Sequence, residues 1–294
     1  MVVRQDRPIS GSVVVITGAA RGIGAATAEL FAAQGADVWI GDVDLAEAET
    51  TAASIARARA ARLDVTDVSS WQDFLGSVLQ ESGRVDILVN NAGVMPLGPF
   101  EDETDEVTDL ILDVNVRGVL NGMRAVLPGM LDRGDGRIVN VASMAGMIPI
   151  PGMVTYNTSK FAALGASLAA RREYAGTGVV VSVVLPSAVR TELASGARLG
   201  GGMPTVDPAD VAAAIVHIAR TGARRVSVPR WVAPGWSAVA AAVPEIVERL
   251  ARRLIDDRRA LTSIDADSRR AYSDRLSRQV AAHHVARIDA GESR

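Results

Sequence analysis

Residues 13–17, Val-Val-Val-Ile-Thr, form a short β-branched run that stops at Gly18, and an Ala-rich stretch of helical period follows over residues 22–34. β-Branched side chains suit a pleated surface buried on both faces, and glycine ends such a run. The segment therefore predicts a strand, a turn and a helix. The unit recurs. Apolar runs at residues 37–41, 60–63, 86–89, 137–141 and 179–184 predict strands, and segments such as 45–56 and 67–81 carry helical period between them. Strands alternating with helices at this spacing call for right-handed crossovers and parallel pairing. The predicted fold class is α/β, a doubly wound parallel sheet of Rossmann type with helices on both faces.

After Val228 the pattern changes. Pro229, Pro234 and Gly235 interrupt it, and the residues beyond them read as helical, with Ile246, Leu250 and Leu254 spaced to share one face. The chain thus divides into a main domain over residues 1–230 and a helical C-terminal extension over residues 231–294. From Glu245 onward the extension holds 11 Arg against 9 Asp and Glu. That balance predicts a solvated amphipathic helix, with a subunit contact or a cap over a substrate site as the alternatives.

Two short constellations carry chemistry. The first is Thr17-Gly-Ala-Ala-Arg-Gly-Ile-Gly24, at the predicted turn from strand to helix. Its glycines permit a tight turn and close backbone approach to a pyrophosphate, and the helix N-terminus offers unpaired N–H groups to the anion. Asp42 follows at the end of the second strand, where a carboxylate can accept both hydroxyls of an adenosine ribose; the other reading is an exposed turn residue. The second constellation is Tyr156-Asn-Thr-Ser-Lys160, at the start of a predicted helix. Its i, i+4 spacing puts a phenol and an ammonium on one face. A free tyrosine titrates near 10, and a neighbouring cation favours the phenolate, so Lys160 is expected to lower the pKa of Tyr156 toward a value useful for proton transfer.

Composition sharpens this. Of 31 basic residues 30 are Arg, and the one Lys is Lys160. Charge alone does not explain that choice, whereas a need for a compact ammonium with freely directed donors does. The net charge of −3 offers no basic excess for a nucleic-acid partner. There is no Cys, and three His leave little for a metal site, so none is expected. The N-terminal residues lack the apolar core of a signal peptide, and the longest uncharged run, 138–159, is too polar and Pro-broken to span a bilayer. A cytoplasmic protein is expected.

Taken in order, the Thr17–Gly24 turn, Asp64 after the third strand, Asn90-Asn-Ala-Gly93 after the fourth, Asn115, Ser143, Tyr156 and Lys160 make residues 12–228 resemble the short-chain dehydrogenase/reductase family. The resemblance implies that Tyr156 exchanges the substrate hydroxyl proton and that Ser143 hydrogen-bonds the substrate oxygen. It implies that Lys160 holds the nicotinamide ribose, and that Asn115 holds a water in the proton relay, although Asn115 also reads as a helix cap and Ser143 as a turn hydroxyl. It further implies a cofactor site of Gly18, Arg21, Gly22, Ile23, Gly24 and Asp42, with Asp64 and Val65 at the adenine. Asn91, Ala92 and Gly93 stand beside the cofactor, and Val189 and Thr191 at the nicotinamide. One departure stands out: Pro186-Ser187 replaces the family's Pro-Gly, which puts the shape of that loop in question.

The function implied is hydride transfer between a nicotinamide cofactor and a secondary alcohol or ketone by a homodimer or homotetramer. The alternatives are a non-catalytic dinucleotide-binding module and, less well matched, a nucleotide-sugar epimerase or dehydratase. On the cofactor, Arg21 favours NADP and Asp42 favours NAD; repulsion of a phosphate by Asp42 is the larger effect, so NAD is expected. Met95, Met144, Met147, Met153 and Met203, with Pro96, Leu97, Ile148 and Pro149, fall in segments expected around the site mouth. They suggest a bulky apolar substrate of steroid, terpenoid or lipid-like kind, or else ordinary core filling.

Overall fold

The computed structural model describes residues 6–196, 204–242, 265–289 and 291. Along the chain run β1 (Val13–Thr17), α1 (Gly22–Ala33), β2 (Asp37–Asp42), α2 (Leu45–Ala53), β3 (Ala58–Arg62), α3 (Val68–Ser82) and β4 (Ile87–Asn90). There follow α4 (Asp105–Leu112), a π-helical turn (Asp113–Arg117), α5 (Gly118–Asp132), β5 (Gly136–Val141), α6 (Val154–Glu173) and β6 (Val179–Pro186). The short pair β7 (Ala188–Val189) and β8 (Thr205–Val206), then α7 (Pro208–Thr221), β9 (Arg225–Val228), α8 (Val232–Ala242) and α9 (Ala266–Asp289) complete it.

The main sheet has the order β3-β2-β1-β4-β5-β6-β9, and every neighbouring pair is parallel. Alternation along each strand feeds two cores. Val14, Ile16, Ile87, Val89 and Val139 face the layer of α1 and α7, packing with Phe31, Val211 and Ile215. Val13, Val15, Leu88 and Ile138 face the other layer, with Trp71, Phe74, Met123 and Met130. Fully burying one such side chain is worth about 1.5–3 kcal/mol, and both sheet faces are covered because each carries a full apolar set. Chain order reverses between β1 and β4. The helices that follow them, α1 and α5, pack on opposite faces and leave a crevice at the carboxyl edge of the sheet, where ligands bind in folds of this kind.

Most predicted strands lie within one or two residues of the observed ones. β3 begins earlier than its apolar residues suggested, because it is an edge strand, Ala-Arg-Ala-Ala-Arg, whose charges face outward. The last strand of the sheet, β9, has too short an apolar run to announce itself. Among the described residues no helix is long and apolar enough to cross a membrane.

Ile246, Leu250 and Leu254 lie outside the described residues, but α9 does not stand off in solvent. It packs on the main domain beside α4. Leu276 and Val280 pack on Val94, Leu110 and Ile111, and Tyr272 is buried. At its far end His283 Nε2 lies 3.1 Å from Asp113 Oδ2, and Arg287 pairs with Asp109 and Asp113. Burial pushes the Asp113 carboxyl up, yet His283, Arg117 and Arg287 together hold it below the ordinary aspartate value.

Every strand of the sheet and both of its cores lie upstream of α9. A chain ended at residue 242 should therefore still unfold cooperatively, losing about 3 kcal/mol of α9 contacts, or roughly 10 °C in Tm. Scanning calorimetry checks this, and a non-cooperative transition would show that the extension belongs to the folding core.

Candidate active site

The floor of the cleft is the β1–α1 turn. Gly18 sits at φ +62°, and a Cβ there would come within 2.6 Å of Ala92 Cα, so the loops after β1 and β4 touch because neither has bulk at that point. A Cβ on Gly24 would lie 2.5 Å from Gly18 O, which forces glycine where α1 passes the strand end. Thr17 Oγ1 accepts from the N–H groups of Asn91 and Ala92, each at 3.0 Å. Asn91 Nδ2 returns bonds to Thr17 O at 3.0 Å and Gly18 O at 2.9 Å. Asn91 thus holds the turn and lines the cleft as well.

Asp44, Asp67, Thr104 and Asp207 cap α2, α3, α4 and α7 with side-chain oxygens. At α1 the N-cap is Arg21, extended and without a side-chain cap. Its first-turn N–H groups border the cleft beside Gly18, Gly22 and Ile23, and an uncapped helix start is a site for a pyrophosphate. The residues present fit a dinucleotide.

At the end of β2 Asp42 lines the cleft and accepts from Ala20 N at 3.0 Å and Asp44 N at 3.1 Å. Burial raises its pKa, opposed by those two N–H groups. Arg21 is not free: it pairs with Asp44 at 2.8 Å and Glu47 at 3.3 Å. Val65, Val189 and Thr191 line the same cleft, as does Asp64, whose carboxylate is tied to Thr66 N and Oγ1 at 2.9 and 2.7 Å.

At the other end α6 presents Tyr156 and Lys160, both buried, and the loop after β5 presents Ser143, which hydrogen-bonds the phenol. Lys160 Nζ is 5.6 Å from the Tyr156 ring centroid and donates to Val141 O at 3.3 Å, leaving its other protons for the cleft. Burial draws Lys160 down to about 8. The expected lowering of the Tyr156 pKa is not what the structure has. Burial drives it up, the Ser143 bond opposes that, and the net direction is upward. Loss of water around the phenolate outweighs a cation lying over the ring at this distance.

Asn115 sits in the π-helical turn, a local break in helix pairing. Its Nδ2 donates to Val94 O at 2.9 Å and Ser159 Oγ at 3.0 Å, and its Oδ1 accepts from Val94 N at 2.9 Å. A Cβ on Gly93 would stand 3.1 Å from Asn115 Oδ1 and 3.5 Å from Lys160 Nζ, so glycine keeps the space between them open. Ser187, in place of the family's glycine, fastens its loop, with Oγ donating to Pro204 O at 2.7 Å and N–H to Val228 O at 2.9 Å.

The cleft measures about 1540 Å³, room for a dinucleotide and a second molecule. Met95, Met144 and Met153 line it with Ile150, Leu193 and Ala194, whereas Met147 packs with Ile148 on a neighbouring cluster. Met203 lies outside the described residues. The sequence pattern alone does not reveal the wall that α9 adds, including Tyr272 and Arg275. Tyr272, Leu276 and Val280, at i, i+4 and i+8, were the signal for it.

Comparison with known proteins agrees with this geometry. The short chain dehydrogenase family's sequence profile matches residues 12–200. Oxidoreductase UcpA of Salmonella typhimurium is 40% identical over 191 residues, 63% of this chain and 72% of its own. D-threitol dehydrogenase of Mycolicibacterium smegmatis is 37% identical over 236 residues, 76% of this chain and 91% of its own. Among solved structures, a 3-ketoacyl-(acyl-carrier-protein) reductase from Brucella melitensis complexed with NADH superposes with a TM-score of 0.70. It is 30% identical over 76% of this chain and 99% of its own.

The buried Lys160 gives a signed prediction. Its folded pKa, about 8, lies below the ordinary lysine value of 10.5, so between these the unfolded chain binds more protons and stability rises with pH. The stability of the wild type relative to Lys160→Met should climb by up to about 3 kcal/mol from pH 8 to 10.5. Tyr156, present in both proteins, cancels in the difference. Chemical denaturation across that range measures it, and a flat difference would mean that Lys160 is solvated.

Proposed function

The chain belongs to the short-chain dehydrogenase family, and on that premise we propose that it transfers a hydride between NAD and a secondary alcohol or ketone, with Tyr156 exchanging the hydroxyl proton. It is an oxidoreductase acting on alcohol or ketone groups; the cofactor, the proton path and the kind of substrate are our reading. The observation that carries this reading is the convergence of Ser143, Tyr156 and Lys160 at one end of a cleft whose other end is the uncapped start of α1. A module that only bound a nucleotide would have no use for the Ser143–Tyr156 pair.

A nicotinamide cofactor, when bound, supplies or takes up the hydride. The protein's residues do the rest. Tyr156, held protonated by burial, gives its proton to a ketone oxygen, while Ser143 donates a hydrogen bond to the same oxygen and favours the charge developing there. In the alcohol-oxidising direction the phenolate is needed, and Lys160 is the cation that favours it. Lys160 also offers its free donors to the nicotinamide ribose. Asn115, facing Lys160 across the open space at Gly93, holds the water that passes the proton on.

The Met-rich lining suits an irregular apolar skeleton rather than a small polyol such as the one for which the threitol enzyme is named. Assembly is proposed as a dimer or tetramer through the long helices that contain Asn115 and Tyr156, and Val154 and Phe161 on α6 are exposed apolar residues available for it.

Tyr156→Phe removes only the proton-transferring group. Turnover should fall by at least about 10²-fold while dinucleotide binding stays nearly intact. Steady-state kinetics with an alcohol and ketone panel, beside calorimetric NAD binding, tests it. Activity within a few-fold of the wild type would sink the mechanism.

On the cofactor, a partly exposed Arg–phosphate pair is worth ~1 kcal/mol. A carboxylate facing a phosphate in a partly desolvated pocket costs several times that. Arg21 is moreover occupied by Asp44 and Glu47. We expect at least about a tenfold preference for NAD in kcat/KM, narrowed by Asp42→Ala and narrowed further when Asp44→Ala also loosens Arg21. Equal use of NADP by the wild type would mean that Asp42 does not meet the ribose.

A further inference from the structure

One buried titratable group in the cleft comes from the extension and has no part in the mechanism above. Tyr272, on α9, is 4% exposed, and its phenol oxygen accepts the Met95 N–H at 2.8 Å. A phenol also has a proton to give, and among the described residues no acceptor meets the Tyr272 O–H. The ring cannot easily turn away. The Arg269 guanidinium lies 4.6 Å from its centroid and that of Arg275 5.4 Å. Arg269 is itself fixed by Leu193 O at 3.1 Å, Ser195 O at 2.9 Å and Met95 O at 2.5 Å, and Arg275 by Glu192 at 2.7 Å.

The donor is thus held by the same two loops that carry Met95 and Leu193, in the lining it shares with Tyr156, Met153 and Ile150. A buried donor with no acceptor is costly and uncommon. The cost is recovered when a ligand brings an oxygen, and the apolar side chains around it leave that oxygen few other partners. We propose that Tyr272 is a substrate-specificity residue: its O–H donates to a second oxygen of the substrate, so the preferred substrates are apolar skeletons oxygenated at two positions, one reacting at Tyr156 and one held at Tyr272. The proposal rests on the alcohol or ketone oxidoreductase reading. It adds a substrate class to that reading and makes α9 part of the site.

The test uses the full chain and two matched pairs of ketones, 1-decalone against decalin-1,5-dione and 2-decalone against decalin-2,6-dione. It reads kcat/KM with NADH and, independently of turnover, the Kd of each ketone for the NAD-loaded protein. The wild type should prefer the dione of at least one pair by about tenfold in both readouts, and Tyr272→Phe should erase that preference, lowering the dione about tenfold more than the monoketone. Tyr272→Phe also strips the Met95 N–H of its acceptor, but that loss lowers monoketone and dione alike. An equal fall for both, or a wild type with no preference in either pair, overturns the proposal. Tyr156→Phe, run beside it, separates the two readings. Retained turnover there refutes the proton-transfer mechanism, and the binding preference still decides the role of Tyr272.

Discussion

The loops after β1 and β4 meet at a junction where Thr17 and Asn91 tie the two strand ends together through side-chain and backbone hydrogen bonds, and the geometry of the whole site depends on it. Chain order reverses there, and the β1–β4 ladder ends at Ile16 and Val89, so beyond it the crevice needs a tie of its own. The clamp is that tie. It sets Gly18 against Ala92, starts α1 uncapped at the cleft, and leads the chain from Asn91 through Gly93 to Val94, to which Asn115 is bound. From Asn115 the same series of contacts runs through Ser159 to α6 and the Tyr156–Lys160 pair. The two ends of the site, one suited to an anion and one to proton transfer, are two ends of one hydrogen-bonded path.

The second constraint is desolvation. Tyr156 and Lys160 are buried together, and burial moves each toward its neutral form, the phenol upward and the ammonium downward. Their separation, 5.6 Å from Nζ to ring centroid, is too loose for the charge to cancel that loss of water. The lysine is therefore a cation that favours the phenolate without cancelling the cost of burial, and its own proton is held less firmly than that of an ordinary lysine. A single Lys among 31 basic residues stands where a compact cation that can change protonation state is useful, and arginine cannot do that.

Much of this was legible in the chain. β-Branched runs such as Val13–Thr17 and the glycines after them report local preference strongly, and the i, i+4 spacing of Tyr156 and Lys160 is fixed by helix geometry. The direction of the Tyr156 shift was not legible, because spacing brings two residues together without saying how much water remains between them. The role of Asn91 was hidden for a related reason: its partners, Thr17 and Gly18, are more than seventy positions away. The docking of α9 was half legible. The stripe of Tyr272, Leu276 and Val280 shows that one face seeks a partner, but charge balance pointed to solvent, and the partner at Val94 and Leu110 is created only by the tertiary fold.

The lone lysine also has a consequence for the chemistry of the chain at large. The one side-chain primary amine in the sequence lines the cleft, and burial leaves that amine more easily deprotonated, hence more nucleophilic near neutrality, than an ordinary surface lysine. A small acylating reagent that enters the cleft meets one side-chain amine, and anything filling the cleft shields it. Labelling at a single residue then serves as an occupancy gauge for the site, without a substrate and without a spectroscopic handle on the cofactor.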